Sequence, residues 1–214
     1  MKHRLRLLLI IIMSALVVVI AYIFLHESGH SLVAALCGAE NIHISIINAH
    51  SLWTGGSFSD RTRALCNAAG VIFPFSISYI GILLYTKENK SIVYQLIYFF
   101  MVVSVAGSGI AWIALPVYTI FVPLPNTSED VFKFLDSSGI SPIVVSLVSM
   151  VVVLGNLYFA KKKGLFDTYI QILKNIGKEE AGGAKLITNK TVIGLAAAMF
   201  IAVIFVVLLE LRNC

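Results

Sequence analysis

Charge is scarce in this sequence. Asp, Glu, Lys and Arg make up 13% of its 214 residues and hydrophobic residues 58%, whereas an ordinary soluble domain carries about 25% charged residues. A soluble globular domain is therefore excluded. Cysteine is rarer still, with Cys37, Cys66 and Cys214 too widely spaced for any CxxC pair. That removes a disulfide framework and a thiolate metal site, and the thiols are expected to be free and buried. No internal repeat or low-complexity tract appears. The formal charge of +5 would suggest nucleic acid in a soluble protein. Here it reads as loop asymmetry across a bilayer, with no nucleic-acid partner.

What the chain does have is long apolar runs, and a spanning helix needs about 20 such residues. The fold class expected is an all-α polytopic membrane protein of about five transmembrane helices with a small membrane-surface β-hairpin. One membrane domain, 1–214, takes up the chain, comprising a core over 1–140 and two further helices over 141–214 joined by a basic amphipathic loop. The first helix covers Leu5 to Leu36 and stops near Gly38. Its apolar run exceeds a secretory signal and is followed by no small-residue cleavage site, so it reads as a retained span. From Asn41 to Ser59, Ile42, Ile44 and Ile46 alternate with His43 and Ser45, and the Gly55-Gly56 pair supplies turn chemistry, which predicts the hairpin. The second helix is expected over Thr62–Tyr85, interrupted by Pro74. The stretch Ile92–Val122 is too long for one straight span and is expected to bend or break at Gly107-Ser108-Gly109 and Pro116. A polar segment, Pro123–Ser141, precedes a fourth helix over Pro142–Ala160. Lys161–Lys190 carries Leu165, Phe166, Tyr169, Ile170, Leu173 and Ile176 at helical spacing, which suits an interfacial helix. A fifth span is expected over Thr191–Leu211.

One run carries chemistry: His26-Glu27-Ser28-Gly29-His30. Four residues apart on a helix, both imidazoles leave one face about a turn apart, which lets two ring nitrogens meet one Zn²⁺ at ~2.0–2.1 Å. Glu27 beside them is placed to take a proton from water rather than to bind metal. This is the H-E-x-x-H arrangement of metalloproteases. Three ionisable groups in an unbroken apolar helix are costly and call for a partner such as a metal. A catalytic site wants a third protein ligand. Glu40 follows the helix stop and faces away; Asp60 sits beside Arg61 and Arg63; Glu88, Asp167, Glu179 and Glu180 lie in loops among lysines. Glu129, Asp130 and Asp136 remain. His43 and His50 read as solvent-facing polar residues.

On these residues the sequence resembles the site-2-protease family of intramembrane metalloproteases. The likeness lies in His26-Glu27-Ser28-Gly29-His30 within a membrane helix and in the later segment Pro123-Leu124-Pro125-Asn126-Thr127-Ser128-Glu129-Asp130, and it spans roughly residues 5–140. It implies one zinc ion per chain held by His26, His30 and Asp130, Glu27 as catalytic base, and hydrolysis of peptide bonds in or next to membrane-spanning segments of substrate proteins. Asn67-Ala68-Ala69-Gly70 matches the small-residue helix that packs on the histidine helix in that family. The hairpin matches membrane-edge strands thought to hold substrate. The second motif departs from the pattern: Ile120 stands where the family has asparagine, Val131 where it has glycine, and the proline-to-aspartate spacing is longer. A membrane protease with a glutamate third ligand would need a Glu-x-x-x-Asp helix, which is absent. A non-catalytic zinc-binding protein or a metal transporter is the alternative of another class. The basic residues place the amino terminus in the cytoplasm and the metal toward the opposite face, whereas many site-2 proteases open toward the cytosol.

Overall fold

The computed structural model describes residues 2–122 and 129–177; the span expected over 191–211 and Cys214 lie outside them. The order is α1 (Lys2–Leu36), β1 (Ala39–Ser45), β2 (His50–Gly55), α2 (Asp60–Leu84), α3 (Ile92–Tyr118), α4 (Asp130–Ser138), α5 (Pro142–Lys162) and α6 (Leu165–Gly177). Four of these, α1, α2, α3 and α5, are long and apolar enough to cross a membrane. The described residues thus form a mostly helical bundle with one small antiparallel sheet. Local chemistry sets the boundaries. Ser59 caps α2 by accepting from the Thr62 N–H, Ser91 caps α3 by accepting from the Tyr94 N–H, and Gly139 closes α4 in the left-handed conformation.

Two expected interruptions are corrected. α2 runs unbroken through Pro74, and α3 runs unbroken through Gly107-Ser108-Gly109 to Tyr118. Backbone groups in lipid must be satisfied within their own segment, which favours continuous helix wherever packing tolerates the residue. Pro74 is fully buried among its neighbours. Gly109 is a contact rather than a break, since a Cβ there would lie 2.4 Å from Val153 Cγ2 and 2.9 Å from Phe75 Cζ. The hairpin is present but turns elsewhere. Ser45 pairs with His50, so the reversal lies over 46–49. There the Asn48 N–H bonds Ser45 Oγ and Ala49 takes φ 48°. Gly55 and Gly56 end β2 instead of forming the turn.

The bundle has two distinct ends. Leu7 and Ile10 at the start of α1 pack with Ile92 and Leu96 at the start of α3 and with Ile172 of α6. The amphipathic α6 therefore lies across the end where α1 begins. The hairpin packs on the other end, where Trp53 meets Val33 of α1 and Cys66 and Ala69 of α2. A second core joins Phe75 of α2, Val105 and Trp112 of α3, Phe132 and Leu135 of α4 and Val153 of α5. Cys66 is buried and Cys37 half-buried, both free.

α1 and α2 come close together at Gly29, where a Cβ would lie 2.3 Å from the Ala69 carbonyl oxygen. Small residues let helix backbones touch in lipid, where apolar burial between helices gives no drive of its own. Gly29→Ala should therefore destabilise the bundle by about 1–3 kcal/mol, as overpacking does. Gly107→Ala, whose Cβ would meet nothing within 4 Å, should stay within about 0.5 kcal/mol. Thermal unfolding of both variants in one detergent compares them, and equal melting points would contradict the close crossing.

Candidate metal centre

His26 and His30 stand one turn apart on α1, while Asp130 opens α4 a hundred residues later. The fold brings one atom of each together. His26 Nε2 and His30 Nε2 are 3.2 Å apart, and each lies 3.1 Å from Asp130 Oδ2. The triangle is nearly equilateral. A small divalent ion held tetrahedrally at ~2.0–2.1 Å requires ligand atoms about 3.3–3.4 Å apart, so the observed edges nearly match.

The protonation pattern strengthens the fit. His30 Nδ1 lies 2.7 Å from the Cys66 carbonyl oxygen, which can only accept, so Nδ1 carries the proton. In the neutral ring Nε2 then presents a lone pair. It faces a carboxylate oxygen and a second imidazole nitrogen, a convergence of electron pairs that a cation relieves. Asp130 would hold a metal as its carboxylate. Its other oxygen, Oδ1, lies 3.9 Å from the Lys133 ammonium one turn on.

Three elements position these groups. Gly70 of α2 faces the histidines: a Cβ there would lie 2.3 Å from His30 Nε2 and 2.9 Å from His26 Cε1. The absence of a side chain at residue 70 is what leaves room for the two rings. α4 docks against α2 and α3 through Val131, Phe132 and Leu135, and this places its first residue at the site. Glu27 is buried, 3% exposed. His26 and Asp130 keep side-chain exposures of 22% and 25%, while His30 keeps 8%, so the site opens along its His26–Asp130 edge. His26 is ten residues before the end of α1 and Gly70 ten after the start of α2. At ~1.5 Å per residue both put the site about 15 Å inside the hairpin end of the bundle.

Comparison with family models, with curated proteins and with solved structures gives no match to this chain.

The sequence left Glu129, Asp130 and Asp136 open by elimination, and the structure brings Asp130 to the histidines. Glu129 and Asp136 are exposed and stand outside the only group able to hold a metal among the described residues. His43 and His50 also stay apart from it, in the hairpin strands. Sequence reasoning missed Tyr22, whose hydroxyl is 3.5 Å from His26 Nδ1, and the Cys66 carbonyl. Tyr22 precedes His26 by four residues and so shares its face, a signal that was available. The carbonyl left none, because any residue has one.

Asp130→Asn and Gly70→Ala should each weaken divalent-metal binding by at least about tenfold, the scale seen when the support of a ligand is lost. Asp136→Asn should leave it unchanged. Metal content of the purified variants measures this, and a loss with Asp136→Asn but not with Asp130→Asn would overturn the assignment.

Proposed function

We propose that the protein is an intramembrane zinc metalloprotease, cutting peptide bonds in or next to membrane-spanning segments of other proteins. The observation that supports this most is the near-equilateral N, N, O triangle built on an H-E-x-x-H helix with the buried Glu27 beside it. Two imidazoles and one carboxylate are a donor set suited to zinc, with a position left for chemistry. When bound, zinc supplies Lewis acidity that activates water near neutral pH. The remaining work falls to the chain. His26 and His30 from α1 and Asp130 from α4 would hold the ion. Glu27 accepts the proton of the attacking water and delivers it to the leaving amine. The surrounding apolar helices limit water, so these charges act in a low-dielectric site. The resemblance to the site-2-protease family points the same way. A transport reading has less support, because transport favours polar groups along several spans and the described residues hold one metal-binding group.

Orientation follows from the loops. Arg6, Lys87, Lys90, Lys161, Lys162, Lys163 and Lys174 belong to the end where α1 begins, against Arg61, Arg63 and Lys133 at the hairpin end. Basic residues favour the cytoplasm, so the metal lies nearer the opposite face. Reporters inserted at Gly164 and at Asn48 should read cytoplasmic and non-cytoplasmic, respectively. The reverse pattern would invert the model.

Glu27→Gln keeps shape but cannot accept a proton. Cleavage of a tethered membrane-helix substrate should fall by ~10²–10⁴-fold while zinc content stays at the wild-type level, since both imidazoles remain. Wild-type turnover in this variant would sink the protease reading.

A further inference from the structure

α6 is apolar over more of its surface than the bundle covers. Leu165, Tyr169 and Ile172 share one face and pack on the end where α1 begins, Leu165 in the cluster of Ile82, Tyr85 and Val102, Tyr169 and Ile172 in that of Leu7, Ile10 and Leu96. At 3.6 residues per turn, Ile170 and Leu173 form a second apolar face turned about 100° from the first. Ile170 is 47% exposed and Leu173 41%, so the bundle leaves this face open. Asp167, Gln171 and Lys174 occupy the remaining side and are exposed. A helix of this pattern lies in the plane of a membrane surface, with its outward apolar face among the acyl chains.

The charge beside it is mainly of one sign. α5 ends on Lys161 and Lys162 with Lys163 as its C-cap, and Gly164, at φ 77°, turns the chain into α6. Lys163 is tied to the fold, because its ammonium donates to the Leu83 carbonyl oxygen at the end of α2, at 3.1 Å. Lys161, Lys162 and Lys174 are exposed, and none of them forms an ion pair with another described residue. The exposed Tyr158 and Phe159 directly precede the lysines, as aromatic residues do at a membrane–water interface. The ammonium groups thus reach headgroup level on their flexible stems. An anionic bilayer complements both features at once, with acyl chains for the apolar face and phosphates for the lysines. A zwitterionic one complements only the first.

We infer that the α5–α6 corner is a binding surface for anionic phospholipid, with headgroup phosphates on Lys161, Lys162 and Lys174 and acyl chains along Ile170 and Leu173. This surface lies at the opposite end of the bundle from the hairpin and does not depend on the metal centre or on the protease reading.

The test titrates the full chain, in a neutral detergent, with phosphatidylglycerol or with phosphatidylcholine of the same acyl length, and counts bound lipid by native mass spectrometry. Phosphatidylglycerol should bind at least about tenfold more tightly, since several lysines act together, and added salt should shrink the difference by screening. The triple variant Lys161→Gln/Lys162→Gln/Lys174→Gln should bring the preference within about twofold. Its melting temperature in detergent alone should match wild type, because these side chains stand on the surface. Lys163 stays in place, so that its bond to α2 is kept. Ile170→Ser/Leu173→Ser should weaken both lipids alike, and Arg61→Gln/Arg63→Gln at the hairpin end should change neither. Inorganic phosphate should not displace the lipid; displacement would reveal a site for free phosphate and overturn the lipid surface. An undiminished preference in the triple variant overturns it as well. So does equal binding of the two lipids by the wild-type protein, which would leave the open face of α6 to a protein partner.

Discussion

Everything around the metal centre depends on how closely α1 and α2 can approach. Between Gly29 and Ala69 the two backbones touch, and one residue further along Gly70 leaves the His30 and His26 rings their space. Had either glycine carried a side chain, the helices would separate or the rings would turn. The hydrogen bond from His30 to the Cys66 carbonyl exists only at this separation. Lipid supplies no hydrophobic drive between helices, so contact of this kind has to come from small residues and from polar bonds across the crossing. The HExxH run provides both: its glycine is the contact and its second histidine is the bond.

The remaining ligand arrives by a different physical route. Asp130 sits on a nine-residue helix too short to cross a membrane. That helix is held by Val131, Phe132 and Leu135 against α2 and α3, so the carboxylate is positioned by apolar packing. The ammonium of Lys133 near its second oxygen offers partial charge balance at a site where an unpaired carboxylate is costly. The α3–α5 contact at Gly109 and Val153 supports the same core from behind.

Much of this was legible in the sequence, and the failures share a cause. Long apolar runs located α1, α2, α3 and α5, and helical spacing found α6. The His26–Glu27–His30 geometry followed from a four-residue period alone. Pro74 and the Gly107-Ser108-Gly109 run misled because propensities measured in water were applied where the backbone has no solvent to turn to. The hairpin turn was placed at Gly55-Gly56, yet Asn48 and Ala49 form it, aided by a local bond to Ser45. Asp130 could not be separated from Asp136 or Glu129 by composition, since that choice depends on which residue of α4 faces α1. Tyr22 was readable from its spacing but carried no motif to draw attention to it.

The exposure pattern around the site then constrains how any substrate would reach it. His30 keeps 8% of its side-chain surface and Glu27 is buried, so neither is open to an approaching chain. The His26–Asp130 edge keeps about a quarter of its side-chain surface, and it lies between α1 and the first turn of α4. On the proposed reading, an extended segment enters along this edge. The site's position about 15 Å inside the hairpin end means that such a segment must leave its own helical hydrogen bonds while still within the bilayer. The sheet of β1 and β2 has two strands among the described residues and so keeps edges without a sheet partner, at the end of the bundle nearest the site. Strand addition there would satisfy the backbone groups that an unwound substrate exposes, which on that reading gives the hairpin a physical reason to sit at the end nearest the candidate metal centre.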